Sequence, residues 1–227
     1  MSELLVTVFV PLLTELVAQL PTGMEGLHRV GILHRDISSE NVMVDVKKQG
    51  MWVILNDFDL AGRVKEEGAR ARHRTGTLPF MAIELLKKAD ATHCLRHDLE
   101  SLFYVAVWWA VTATHGQADR DAATSRRRSL AYWNQGTPRA ISLVKQEFLT
   151  LPWKDSGIEL SPGFEGMIRT LLKLKKLFRD AEQSKTNRKT DLENFAYGIG
   201  VELHREHADT ETADDISPET FRLALTS

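Results

Sequence analysis

His34-Arg35-Asp36-Ile37-Ser38-Ser39-Glu40-Asn41 has the form H-R-D-x-x-x-x-N. Two strand-like runs follow, Asn41–Val46 and Met51–Asn56, joined by Lys47-Lys48-Gln49-Gly50. This pattern predicts a short β-hairpin with glycine in its turn. Asp57-Phe58-Asp59 stands at the end of the second run, so the hairpin returns Asp57 close to Asn41 in space. The set comprises a loop Asp to orient a hydroxyl, an Asn five residues later and a second Asp across a tight hairpin. It suits phosphoryl transfer, where positioning and Mg²⁺ neutralisation do most of the catalytic work. Taken singly, Asp36 and Asn41 would serve equally well as turn formers.

Two further segments follow in order. Gly62 to Thr77 is polar and rich in Arg and Gly, and reads as a long loop; it leads into Gly76-Thr77-Leu78-Pro79-Phe80-Met81-Ala82-Ile83-Glu84. Then comes His97-Asp98-Leu99-Glu100-Ser101-Leu102. It opens a stretch, Asp98 to Ala113, whose apolar residues cover every face, which predicts a helix buried on all sides.

Together these segments resemble the C-terminal lobe of a eukaryotic protein kinase. Ala82-Ile83-Glu84 stands where kinases have A-P-E, closing the activation segment. The wording H-R-D-I-S, D-F-D-L-A, G-T-x-x-F-M-A-x-E-L-L and R-H-D-L-E-S-L-F-Y is similar to the fungal-type protein kinases of mushroom-forming fungi. The similarity runs from Gly31 to Trp109 and continues more weakly through Trp133 to Leu149.

The resemblance implies ATP-dependent phosphoryl transfer to a protein hydroxyl of Ser or Thr, with ATP and Mg as cofactors. On that basis Asp36 orients the acceptor hydroxyl, and Asn41 and Asp57 ligate Mg²⁺ and hold the nucleotide. Gly76 and Thr77 belong to the substrate-binding end of the activation segment, with Thr77 near Asp36. His34, Arg35, Phe58 and Asp98 support the site, and Asp98 would serve equally as a helix N-cap. Glu84 fixes the end of the segment through an ion pair with a later Arg, such as Arg139 or Arg169. A phosphate on Thr75 would meet Arg35, Arg70, Arg72 and Arg74.

Three departures from the family pattern stand out. Ser38 occupies the place where many serine/threonine kinases carry Lys. Asp59 replaces the Gly of D-F-G, and Asp reaches positive φ only reluctantly. Upstream, a small β lobe with its Gly-rich loop, strand Lys and helix Glu would need about 60–70 residues at ordinary element and loop lengths. Only 33 residues precede His34, with no G-x-G-x-x-G and no Lys before Lys47. We therefore expect the N-terminal β lobe to be absent. The 33 residues instead suit two helices, interrupted by Pro21 and Gly23.

Composition fits this reading. The 227 residues are 43% hydrophobic with a net charge of −2, ordinary values for a globular chain without a nucleic-acid footprint. One cysteine, Cys94, excludes an internal disulfide. The uncharged run Leu4–Thr14 is shorter than the roughly 20 residues a spanning helix needs, and no basic region precedes it. An intracellular protein with a protein substrate and no nucleic-acid or membrane partner is expected.

His115–Arg128 reads as a polar, Arg-rich connection, in which Arg126-Arg127-Arg128 would be a solvated loop or a phosphate grip. Ile141–Leu149 and Phe164–Ala181 carry helical periodicity, the second with Lys and Arg on its outer face. His93, Cys94 and His97 fall short of the four ligands structural zinc requires. The expected fold is mainly α (α+β), with a kinase-like large lobe over 1–183 and a polar tail over 184–227. The expected function is that of a truncated kinase with impaired activity. The alternative is a non-catalytic kinase-like module that binds partners as a scaffold.

Overall fold

The apolar run after His97 forms the central helix of the computed structural model, which describes residues 2–47, 50–64, 76–114, 119–184 and 219–220. This helix, α3 (Leu95–Thr112), is buried continuously from Leu95 to Val107. Its apolar side chains meet Leu33, Phe80, Phe148, Phe164, Leu171 and Phe178 in one core. Phe103 stacks on both Phe148 and Phe178, and Tyr104 meets Trp133 edge-on at 5.2 Å. Because the helix is covered on all sides, its charged residues Arg96, Asp98 and Glu100 are buried too, and each must find a partner.

The chain enters as one helix, α1 (Ser2–Arg29), rather than two. Pro21 lacks the N–H of a helix interior and Gly23 carries an entropic cost, which is why an interruption was expected there. Pro21 itself is buried, and Leu16, Leu20 and Met24 pack into the core against α3. Each such side chain contributes about 1.5–3 kcal/mol, enough to outweigh the local penalty.

A two-residue strand, β1 (Ile32–Leu33), then leads into the H-R-D segment and pairs with β4 (Gly62–Arg63). Between them lies the expected hairpin, β2 (Val42–Lys47) and β3 (Gly50–Leu55), in register from Val42–Leu55 to Lys47–Gly50. Residues 48 and 49 of its turn lie outside the described residues.

After α2 (Ile83–Lys87) and α3 comes α4 (Arg120–Ser129), where a connection was expected. One side of α4 is anchored by buried Ala123 and Arg126. The Arg126 guanidinium donates to the carbonyls of Val111 and Ala113 at the end of α3, and to Asp119 and Ser161. Arg126 is therefore a structural staple, whereas Arg127 and Arg128 are exposed.

The last helices are α5 (Pro138–Thr150), capped by the Thr137 hydroxyl, and α6 (Ile168–Ser184), entered through a 3₁₀ turn at Glu165–Met167. On α6, Lys175 is buried rather than outward, donating to the carbonyl of Leu151. Of the expected tail, 185–218 and 221–227 lie outside the described residues, as do Thr75 and the arginines at 70, 72 and 74. No described helix is long and apolar enough to cross a membrane.

Candidate active site

The H-R-D segment is held from beneath by the first turn of α3. The Asp98 carboxylate accepts the backbone N–H of His34 at 3.0 Å and of Arg35 at 3.2 Å, and pairs with His93 Nε2 at 2.7 Å. Burial alone would raise its pKa, but His93 and the donors from His34 outweigh this and hold it below the usual carboxylate value. The fixed anion keeps Arg35 in the left-handed region, at φ 70. That conformation costs a non-glycine residue roughly 1–2 kcal/mol. The Arg35 side chain folds over Gly62, where a β-carbon would come within 2.3 Å of its Nη1.

His34 is buried and serves as a strut. Its Nε2 meets the carbonyl oxygen of Asn56 at 3.0 Å, and its Nδ1 accepts the N–H of Asp36 at 3.4 Å. Those partners assign the neutral tautomer with the proton on Nε2. Phe58 covers the ring at 4.7 Å between centroids. The end of β3 is thus tied to the segment that carries Asp36, and the N–H of Asn56 also donates to the Asn41 carbonyl at 2.8 Å.

Asp36, Asn41 and Thr77 meet directly. The Asn41 side-chain amide donates to the Asp36 carbonyl at 2.9 Å and to its Oδ2 at 3.1 Å. The Thr77 hydroxyl donates to Asp36 Oδ1 at 2.8 Å. Gly76, at φ 115, brings Thr77 in closely; a β-carbon there would lie 3.2 Å from the Arg35 carbonyl. Both carboxylate oxygens of Asp36 are thereby oriented.

Asp57 follows at the end of the hairpin, exposed and at φ 61, with its Oδ1 accepting the N–H of Asp59 at 3.2 Å. The left-handed residue is thus Asp57, and Asp59 takes a negative φ that any residue adopts. The departure from D-F-G therefore carries no backbone strain in this conformation.

A second buried network fixes the end of the segment. The partner of Glu84 is Arg96, at 2.5 Å, not Arg139 or Arg169. Arg96 lies buried in the first turn of α3, whereas Arg139 is exposed at the start of α5. Burial would weaken the Arg96 charge, yet Glu100 and Glu84 more than compensate and raise its pKa. His97 Nε2 also meets Glu84, at 3.3 Å, while its Nδ1 accepts the Cys94 N–H at 3.1 Å. Burial and the Arg96 charge push the His97 pKa down to about 3, so its ring is neutral. With His93 on Asp98 and His97 on Glu84, no metal cluster exists among the described residues.

Glu100 accepts the N–H of Ile83 at 2.9 Å and the hydroxyl of Tyr104 at 3.1 Å. Sequence reading passed over Arg96, Glu100 and Lys145. The available signal was Asp98 and Glu100 inside a helix predicted, over Asp98 to Ala113, to be buried all round, with Arg96 just before it.

Comparison with known proteins agrees with this architecture. Residues 13–110 match the fungal protein kinase family model. Ribosomal protein S6 kinase alpha-1 of Mus musculus is 26% identical over 137 residues, covering 60% of this chain and 16% of that protein. Serine/threonine-protein kinase AtPK2/AtPK19 of Arabidopsis thaliana is 34% identical over 94 residues, 41% of this chain and 17% of that one. Serine/threonine-protein kinase grp of Drosophila melanogaster is 32% identical over 148 residues, 59% and 27% respectively. The chain thus spans between 16% and 27% of the length of these curated relatives. Residues 13–110 are thus similar to the fungal protein kinases, and the α-rich fold is consistent with a kinase-like C-terminal lobe.

Proposed function

We propose that the site built on Asp36 carries out phosphoryl transfer from Mg-ATP to a Ser or Thr hydroxyl of a protein substrate. The observation that carries this reading is the fixed Asp36 carboxylate, oriented by the Asn41 amide and the Thr77 hydroxyl on a loop anchored by Asp98. In that reading Asp36 aligns the acceptor hydroxyl and takes up its proton as the bond to phosphorus forms. Thr77 holds the carboxylate in the orientation that meets an incoming side chain.

The donor set suits Mg²⁺, which takes oxygen ligands. Asn41 uses its nitrogen for Asp36, which leaves Oδ1 as the ligand atom, and Asp57 presents an exposed carboxylate. The ion, when bound, would neutralise charge between the phosphates. The outer face of the hairpin adds an apolar surface beside these residues. Met43 and Ile54 stand opposite one another across the strands, 51% and 45% exposed, with Trp52 on the same face at 56%. A flat apolar patch next to metal ligands is suited to stacking a nucleotide base.

The 227 residues contain no G-x-G-x-x-G and nothing resembling V-A-I-K, the groups that grip phosphates. For this chain we therefore expect weak Mg-ATP binding and impaired transfer. A second reading is a non-catalytic module that binds partners through the kinase-like surface.

Mn²⁺ titration followed by NMR tests the metal assignment. Selective broadening of the Asn41 side-chain amide, lost in Asp57→Ala, is expected; broadening spread over surface carboxylates would overturn it. A thermal shift of several degrees with Mg-ATP, lost in Asp57→Ala, would overturn the expectation of weak nucleotide binding.

A further inference from the structure

The segment that presents Thr77 is a tight turn with little secondary structure of its own. The N–H groups of Phe80 and Met81 both return to the Thr77 carbonyl, at 2.9 and 3.0 Å. The turn continues into Ala82 and the five-residue helix α2, so its position depends on what packs against it. Beneath lies a satellite core of Met81, Ala82, Leu85, Leu86 and Ile141. Through that core passes Lys145 of α5, fully buried.

The Lys145 ammonium donates to the Met81 carbonyl at 2.6 Å and to the Leu78 carbonyl at 3.4 Å. It also sits 3.9 Å above the Tyr104 ring and 5.7 Å from that of Trp133. Two residues beyond Met81, Glu100 takes the N–H of Ile83. The turn is therefore gripped by a cation on its carbonyls and an anion on its amide. A buried lysine is costly unless its donors are used, and here two of them hold main-chain oxygens flanking the turn.

We propose that Lys145 is a positioning residue for the phosphoryl-transfer site: by holding the carbonyls of Leu78 and Met81, it sets where the Thr77 hydroxyl meets Asp36. The proposal rests on the transfer reading above for its catalytic consequence, but its geometric part does not depend on it. Lys145 touches neither Asp36 nor any reacting group; it acts through the turn. Burial pushes its ammonium well below the ordinary lysine value, and the Glu100 charge opposes that shift. A neutral amine would still donate to the Met81 carbonyl.

The test is Lys145→Met in the full 227-residue chain, with the Thr77 methyl and Asn41 side-chain amide followed by NMR. Both signals are expected to move or broaden, while the methyls of Leu171 and Leu174 in the main core stay in place. Lys145→Gln, which keeps a shorter uncharged donor, should give intermediate displacement and stands in if Lys145→Met fails to fold.

In a peptide-phosphorylation assay, kcat is expected to fall about 10- to 100-fold with the KM for Mg-ATP unchanged. Thr77→Ala should lower kcat comparably, and the double variant should be no worse than either single one. A folded Lys145→Met or Lys145→Gln protein with both reporter signals at their native positions would overturn the proposal. So would a rate loss that simply adds to that of Thr77→Ala. A chain that transfers no phosphate at all sinks the transfer reading, and the NMR arm then decides the positional claim alone.

Discussion

Asp98→Ala is the perturbation whose cost follows most directly from the geometry. The carboxylate satisfies the buried N–H groups of His34 and Arg35 and pairs with the His93 ring. Its removal leaves two main-chain donors without an acceptor, at about 1–3 kcal/mol each. It also frees the left-handed Arg35 backbone to relax away from its present shape. The sum is about 3–5 kcal/mol, the range for breaking a buried charged network. Set against a usual total of about 5–15 kcal/mol, that is a large fraction of the stability.

Urea unfolding should show it as a midpoint lowered by more than about 1 M, given slopes of about 1–3 kcal/mol/M. Asp98→Asn, which keeps one acceptor oxygen, should lose about half as much. The pH dependence carries a definite sign. A carboxyl whose folded pKa is depressed stabilises the protein at neutral pH, and that contribution is lost as pH falls below its ordinary 3.8 toward the folded value. An Asp98→Ala protein whose midpoint lies within about 0.2 M of the wild type would refute the argument, since its slope would make that loss well under 1 kcal/mol.

Two other outcomes follow from the buried networks. His97 is held neutral, with a folded pKa near 3 against 6.5 unfolded, so the unfolded state binds the extra proton between those values. Stability should therefore fall as pH drops from 6.5 toward 3, and His97→Gln should flatten that decline in urea midpoints measured at pH 7, 5.5 and 4. Arg126→Met removes the donors on Val111, Ala113 and Ser161, and should lower the melting temperature by about 5–10 °C. Arg127→Met and Arg128→Met, exposed on the same helix, should leave it nearly unchanged.

The geometry of the H-R-D segment was legible in the sequence because its constraints are local. The H-R-D-x-x-x-x-N spacing, the hairpin and Asp57 follow one another within 24 residues, and strand alternation fixes how they return on themselves. The buried helix was legible for a similar reason, since apolar residues on every face leave no other solution. Partners chosen by packing were not legible. Glu84 takes Arg96, a partner set by tertiary placement that no spacing rule encodes. The helix through Pro21 was hidden because a local penalty is outweighed by the burial of Leu16, Leu20 and Met24, which depends on where α3 lies. Arg120–Ser129 looked like a polar connection because Arg126 counts as polar in any pattern, although its guanidinium is an interior group here.

The central claim is that the Asp36 constellation performs phosphoryl transfer. Its most direct test is a single-turnover measurement of γ-phosphate transfer from millimolar Mg-ATP to a Ser/Thr peptide, comparing the chain with Asp36→Asn. The account predicts slow but measurable transfer, reduced about 10²- to 10⁴-fold by the substitution. Equal rates in the two proteins, or no transfer by either, would contradict it.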